Sequence, residues 1–260
     1  MKIVWCLLAI FGFTHCIPIV QNPNDNNGQH VFDENFPEEN PGLYEGDIEL
    51  REDEDPRDRN AITNKDKLWP GGILPYVISS GYSSSVKAAI KSAMKTMEEK
   101  TKVHGKTCIH FTPHTNQQRY IKFANGSGCH TPVGMGHSAS TVTLGRGCIR
   151  IGTIMHEINH ALGSWHEQSR DDRDKYVTID FSNIQDGHER NFIKHTDIDE
   201  EGQDYDYESV MHYSAHAFAK DRSKPTITPK KKGATIGQRT HLSAVDIKEI
   251  QILYGCISRP

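Results

Sequence analysis

The strongest chemical signal in the chain is His156-Glu157-Ile158-Asn159-His160-Ala161-Leu162-Gly163-Ser164-Trp165-His166. His156 and His160 are four residues apart, so a helix through them presents both imidazoles on one face. That spacing suits two Zn–N bonds of about 2.0–2.1 Å. Glu157 follows the first ligand and can reach a metal-bound water without binding the metal itself. Gly163 lets the helix end three residues after His160, because glycine accepts positive φ without a Cβ clash. The turn then returns His166 to the same ion. Three neutral imidazoles leave a coordination position open, the arrangement of a catalytic rather than a structural site. The implied reaction is amide hydrolysis with one Zn2+ per chain. Zinc lowers the pKa of a bound water toward about 7 and polarises the carbonyl. Glu157 takes the water's proton and passes it to the leaving amine, first as general base and then as acid. No G-x-S-x-G elbow competes with this reading. The bland alternative, a helix of satisfied core histidines, does not account for Gly163 and His166. The other histidines, among them His104, His110, His130, His188, His195 and His216, lack ligand spacing and read as exposed or locally hydrogen-bonded.

These residues need a framework, and the chain reads as α+β. Ile73 to Ile78 is a short strand in which Pro75 favours an edge. Residues 84–100 carry Val86, Ile90, Ala93, Met94 and Met97 at helical spacing. Cys108 to Phe111 and Tyr120 to Phe123 read as strands. Cys148 to Ile151 leads into a metal-binding helix around 153–162. Ser243 and Asp246 resemble an N-cap and its third residue, with Ile247, Ile250 and Leu253 following on one face.

The ends of the chain differ in composition. Met1-Lys2 precedes an apolar run from Ile3 to Phe13 that is too short for a bilayer core of about 30 Å and reads as a secretory signal peptide over residues 1–16. Residues 17–59 hold thirteen acids and three Lys or Arg, whereas residues 60–260 hold twenty-one acids and twenty-six Lys or Arg. The acidic stretch is poor in apolar residues and should not form its own core. It ends at Pro56-Arg57-Asp58-Arg59, a site for a trypsin-like cut, and reads as a pro-segment ahead of a domain over 60–260. Four cysteines remain after residue 16, enough for two disulfides in an exported chain, with three pairings open. No long basic run suggests nucleic acid.

The flanks of the histidine motif carry a family resemblance. The extended motif resembles the metzincin zinc peptidases, and Glu167-Gln168-Ser169-Arg170-Asp171-Asp172-Arg173-Asp174 is similar to the astacin continuation. Ser209-Val210-Met211-His212-Tyr213 resembles the astacin Met-turn, and Trp69 to Tyr76 its mature N-terminal region. Ile236 to Arg239 and Leu253 to Cys256 match its closing stretch. The resemblance implies a two-lobed domain: a mixed twisted sheet plus the active-site helix above, and an irregular lower lobe with a C-terminal helix. It implies Met211 as an apolar floor under the metal, and Tyr213 as a further ligand that swings away to stabilise the oxyanion. Glu167 should meet the new N-terminus at Asn60. Tyr44-Glu45-Gly46-Asp47-Ile48 resembles the family's pro-segment motif, so Asp47 should ligate zinc in the zymogen. The resemblance implies the pairs Cys108–Cys256 and Cys129–Cys148. It also implies Arg239 as the pocket for the residue after the cut bond, which would favour an acid there. Asn159 and Ser164 depart from the larger apolar residues usual in the family. Asn125-Gly126-Ser127 is a glycosylation pattern.

The resulting expectation is a secreted, extracellular, monomeric zinc endopeptidase without a membrane anchor. It is made latent, is activated by a trypsin-like protease, and acts on proteins or peptides. A catalytically inactive secreted binding protein on the same fold is the alternative, disfavoured by the retained Glu157 and ligands. A zinc-stabilised structural module is disfavoured by the open position.

Overall fold

The computed structural model describes residues 33, 35–51, 65–195 and 202–260. The signal segment expected over 1–16, the cut after Arg59 and the new terminus at Asn60 lie outside these residues.

The larger layer is a five-stranded mixed sheet. Its strands are β1 (Ile73–Ile78), β2 (His110–Pro113), β3 (Ile121–Ala124), β4 (Cys129–His130) and β5 (Ser140–Leu144). Their order across the sheet is β2-β1-β3-β5-β4. All neighbours run parallel except β4, which is antiparallel to β5 and forms one edge. β1 is therefore not an edge strand, contrary to the expectation from Pro75. It pairs with β2 over Ile73–Tyr76 but meets β3 only from Tyr76 onward. Pro75 thus lies where the strand is paired on one side, and its missing N–H costs no second ladder. β2 begins at His110 rather than Cys108 because its partner begins opposite it, at Ile73.

Helix α1 (Ser84–Lys100) starts where Ser83 accepts a hydrogen bond from the Val86 amide, and it buries Ile90, Ala93, Met94 and Met97. Helix α2 (Ile151–Leu162) carries the metal motif and is buried along nearly its whole length. These residues share one large core with Trp69, Leu74, Ile121, Phe123 and Leu144. A second, smaller core of Val177, Ile184, Phe192, Tyr213, Phe218 and Ile227 lies under irregular chain and the two-stranded ladder of β6 (Val177–Ile179) and β7 (Ile227–Pro229). Cys108–Cys256 and Cys129–Cys148 are the two disulfides among the described residues.

Helix α3 (Ala244–Leu253) opens with a capping box. The Ser243 hydroxyl accepts from the Asp246 amide at 2.9 Å, and the Asp246 carboxylate accepts from the Ser243 amide at 2.7 Å. The same carboxylate accepts from Ser209 Oγ at 2.7 Å and from the Val210 amide at 2.9 Å. Asp246 is buried, so its removal strands three donors. Asp246→Ala should destabilise the fold by about 3 kcal/mol and lower Tm by about 10 °C, read by thermal denaturation. An unchanged Tm would contradict this tie.

Candidate metal centre

Helix α2 ends because Gly163 takes φ 118°, where its amide bonds the carbonyls of Asn159 and His160. The chain then doubles back and brings His166 beside His156 and His160. Asp47, arriving from the acidic segment, completes a group of four buried ligand atoms within 4.8 Å of one another. Asp47 Oδ2 lies 3.0 Å from His156 Nε2 and 3.2 Å from His166 Nε2, and Oδ1 lies 3.6 Å from His160 Nε2. Ligands on a tetrahedral zinc with bonds of about 2.1 Å are separated by about 3.4 Å, so the donors are spaced for that ion. Their chemistry also fits: His160 Nε2 and Asp47 Oδ1 are buried with no hydrogen-bond partner among the described residues.

The far side of each imidazole is held. His156 Nδ1 donates to the Val210 carbonyl and His160 Nδ1 to the Ser164 carbonyl, both at 2.8 Å. His166 Nδ1 donates to Glu45 Oε2 at 2.6 Å. These bonds turn all three Nε2 atoms toward the shared centre. Met211, buried in the large core beside them, is an apolar residue of the following turn.

Both carboxylate oxygens of Glu157 are buried without a partner among the described residues. Burial, then the charges of Asp47 and Glu38, pushes this carboxyl well above the ordinary range. Tyr213, expected as a further ligand, packs its ring against that of His166, with centroids 4.7 Å apart. The Tyr213 hydroxyl donates to the Glu45 carbonyl at 2.5 Å. Glu167 is buried, accepting from the Asp206 amide at 2.7 Å and from Arg170 at 3.4 Å. Burial pushes it up to about 8, against the pull of Arg170. Asn125 is exposed in the loop between β3 and β4. Asn159 is buried, and its Oδ1 finds no partner among the described residues. The Ser164 amide caps the Asn159 carbonyl at 3.0 Å.

Sequence spacing did not single out three acids that hold the segment in place. Glu45 accepts from His166, from Ser169 Oγ at 2.9 Å and from His195 Nε2. His195 is thus a correction: it is buried and bonded across 150 residues, not exposed or locally satisfied. Glu38 receives Arg239 Nε at 2.7 Å and Thr153 Oγ1 at 3.2 Å. Arg239 is half-buried there, and its Nη1 also donates to the His212 and Gln238 carbonyls. Glu39 receives both terminal guanidinium nitrogens of Arg222. Burial raises the Glu39 pKa against that cation, whereas at Glu38 the Arg239 charge overcomes burial and lowers it. Gly46, at φ 79°, passes so close that a Cβ would lie 2.6 Å from the Glu38 carbonyl and from Phe218 Cζ. The segment also makes an isolated bridge just past the end of β4: the Thr131 amide donates to the Asp47 carbonyl at 3.0 Å, and Ile48 pairs with Thr131 in parallel.

Glu45 gives a pH prediction. Burial would raise its pKa, but the His195 charge and the bonds from His166 and His195 hold it at about 2, against an ordinary 4.5. The docked value is the lower one, so the stabilisation is fully present above 4.5 and is lost as pH falls toward 2. The Tyr44 ring packs edge-on at 6.1 Å to Trp165, so tryptophan fluorescence should be flat at mild pH and change only below about pH 4.5. A transition centred above about pH 6 would exclude Glu45 as its source.

The chain matches the family model described as Astacin, a peptidase family, over residues 61–255. It is 43% identical over 206 residues to zinc metalloproteinase nas-15 of Caenorhabditis elegans, a match covering 78% of this chain and 35% of that protein. It is 37% identical to tolloid-like protein 1 of Mus musculus, covering 76% of this chain and 20% of that one. The chain therefore spans about a third or less of these two relatives. Against the low choriolytic enzyme of Oryzias latipes it is 41% identical over 225 residues, covering 82% of this chain and 78% of the other. In solved structures it resembles high choriolytic enzyme 1, a hatching enzyme zinc-protease from Oryzias latipes. The TM-score is 0.69 at 39% identity, covering 75% of this chain and 97% of that one. With the family model matched over residues 61–255, the chain belongs to the astacin family of peptidases, and its buried cluster of three histidines and an aspartate suits one zinc ion.

Proposed function

We infer that the chain is a secreted endopeptidase kept latent by its own residues 17–59, which a trypsin-like protease removes by cutting after Arg59. The observation that carries this is the Asp47 carboxylate lying among three histidines while the neighbouring Glu157 has nothing to bond among the described residues. A carboxylate in the fourth position occupies the place a water must take. Residues 1–16 act as the signal peptide, and the enzyme works as an extracellular monomer. No helix among the described residues is long and apolar enough to cross a membrane.

Zinc held there supplies Lewis acidity toward a water and the scissile carbonyl. Once Asp47 leaves, Glu157 loses the nearby negative charge that raises its pKa. Its carboxylate then takes the proton of the attacking water and delivers it to the leaving nitrogen. Tyr213 loses the Glu45 carbonyl that holds its hydroxyl and turns that hydroxyl toward the carbonyl oxygen that becomes negative. Glu167, a buried carboxyl at about 8, is supplied with a cation by the Asn60 ammonium. Arg239 receives the acidic side chain of the residue after the cut bond, the place Glu38 now fills.

Trypsin treatment of the purified uncut chain should release casein- or gelatin-cleaving activity that a zinc chelator abolishes. Activity that survives chelation, or full activity before cutting, would overturn the reading.

A further inference from the structure

Glu38 and Glu39 are consecutive, and each meets its own arginine. Arg239 holds Glu38; Arg222 takes Glu39 in a two-pronged bond, Nη1 to Oε1 at 3.0 Å and Nη2 to Oε2 at 2.6 Å. The Arg222 guanidinium also lies over the Phe36 ring, 3.6 Å from its centroid. Phe36, Glu38 and Glu39 line a cavity of about 230 Å³ that also takes in Tyr213, Phe218 and Arg239. Glu39, the acid that Arg222 grips, is therefore part of the wall of the same cavity that Arg239 and Tyr213 line.

Neither arginine depends on the acidic segment alone for its position. Arg239 Nη1 donates to the His212 and Gln238 carbonyls, both at 3.0 Å, and Arg222 Nη1 donates to the His216 carbonyl at 2.8 Å. The Arg222 loop is pinned by Asn183, whose Nδ2 donates to the Asp221 and Lys224 carbonyls at 3.2 and 2.9 Å and whose Oδ1 accepts from the Asp221 amide at 3.0 Å. The adjacent Asp221 carboxylate is engaged by Ser223 and Lys224. When the segment departs, the bond to the His216 carbonyl still holds the Arg222 guanidinium, now with its anionic partner gone. A preset, planar donor of this kind selects carboxylates over their amide isosteres.

We propose that Arg222 is a second specificity-determining residue, which reads a carboxylate on the substrate a few residues downstream of the one held by Arg239. The enzyme then favours substrates with two acids after the cut bond. The proposal rests on the peptidase reading above and on Arg239 as the first acid pocket.

The test uses the trypsin-cut enzyme and a set of peptides with Asp fixed directly after the scissile bond. A single Glu is walked through the next four positions, each peptide paired with its Gln counterpart. One position should show kcat/KM higher for Glu by about tenfold, the size of one charge-assisted interaction. Arg222→Gln should bring that ratio close to one while the preference for Asp over Asn directly after the cut bond persists. Arg239→Gln should do the reverse. Arg222→Lys, which keeps the charge and loses the fork, should give an intermediate ratio, which distinguishes recognition from a folding defect. A Glu-to-Gln ratio near one at every position, or a ratio that survives Arg222→Gln, overturns the role of Arg222 and leaves the peptidase reading standing. Failure to cleave any peptide overturns both.

Discussion

Glu157→Gln in the cut enzyme should lower kcat by roughly two to four orders of magnitude, which is about 3–5 kcal/mol of barrier, with KM and zinc content nearly unchanged. The substitution keeps size and removes the group that accepts a proton. Glu157 touches none of the four clustered ligand atoms through a hydrogen bond, and both its oxygens are without partners among the described residues. Its loss should therefore leave the metal cage intact. Zinc stoichiometry by metal analysis and single-turnover kinetics on one peptide check the two halves. A variant as active as the parent would remove Glu157 from the chemistry. A variant that lost its zinc would make the residue structural.

Asp47→Ala should raise the activity of the uncut chain, and by a large factor. Removing one partner from a buried charged cluster costs about 3–5 kcal/mol, so the fraction of molecules with an open fourth position should rise roughly a hundredfold or more. The rise should remain incomplete, because Glu38, Glu39 and Glu45 still tie the segment to Arg239, Arg222 and His195. Adding Glu45→Gln to Asp47→Ala should bring the uncut chain closer to the cut one. Peptide cleavage by the uncut variants, with the trypsin sites removed, measures both steps. Unchanged latency in Asp47→Ala would mean that the segment blocks the cleft by bulk alone.

The site was legible in the sequence to the extent that its logic is local. His156, Glu157, His160, Gly163 and His166 lie within one helix and its terminating turn, where 3.6-residue periodicity and the tolerance of glycine for positive φ speak directly. Ser243 and Asp246 were legible for the same reason. The clamp on the acidic segment was not. Glu45 to His195, Glu39 to Arg222 and Glu38 to Arg239 span 150, 183 and 201 residues. Nothing in the spacing of a chain records such pairs, and although Arg239 was singled out as a pocket residue, its partner was not. The Pro75 expectation failed for a related reason: an edge rule judges a whole strand, whereas β1 changes its pairing halfway along. The bond from the Tyr213 hydroxyl belongs with the clamp, since it reaches a carbonyl 168 residues away on the docked segment.

Asp246 also sets an order of events during synthesis. Its carboxylate accepts from the Val210 amide, and the Val210 carbonyl in turn orients the first metal-binding imidazole, His156. A nascent chain displays His156 long before residue 246 leaves the ribosome. Until then the turn that carries Val210 lacks the bonds from Ser209 and Val210 to Asp246, and the carbonyl that orients His156 is held less firmly. The centre is thus completed only once residue 246 is made, after the acidic residues that cover it have long been available. A chain stopped short of Ser243 should bind zinc more weakly than the full chain. Equal affinity would show that the turn holds its shape unaided.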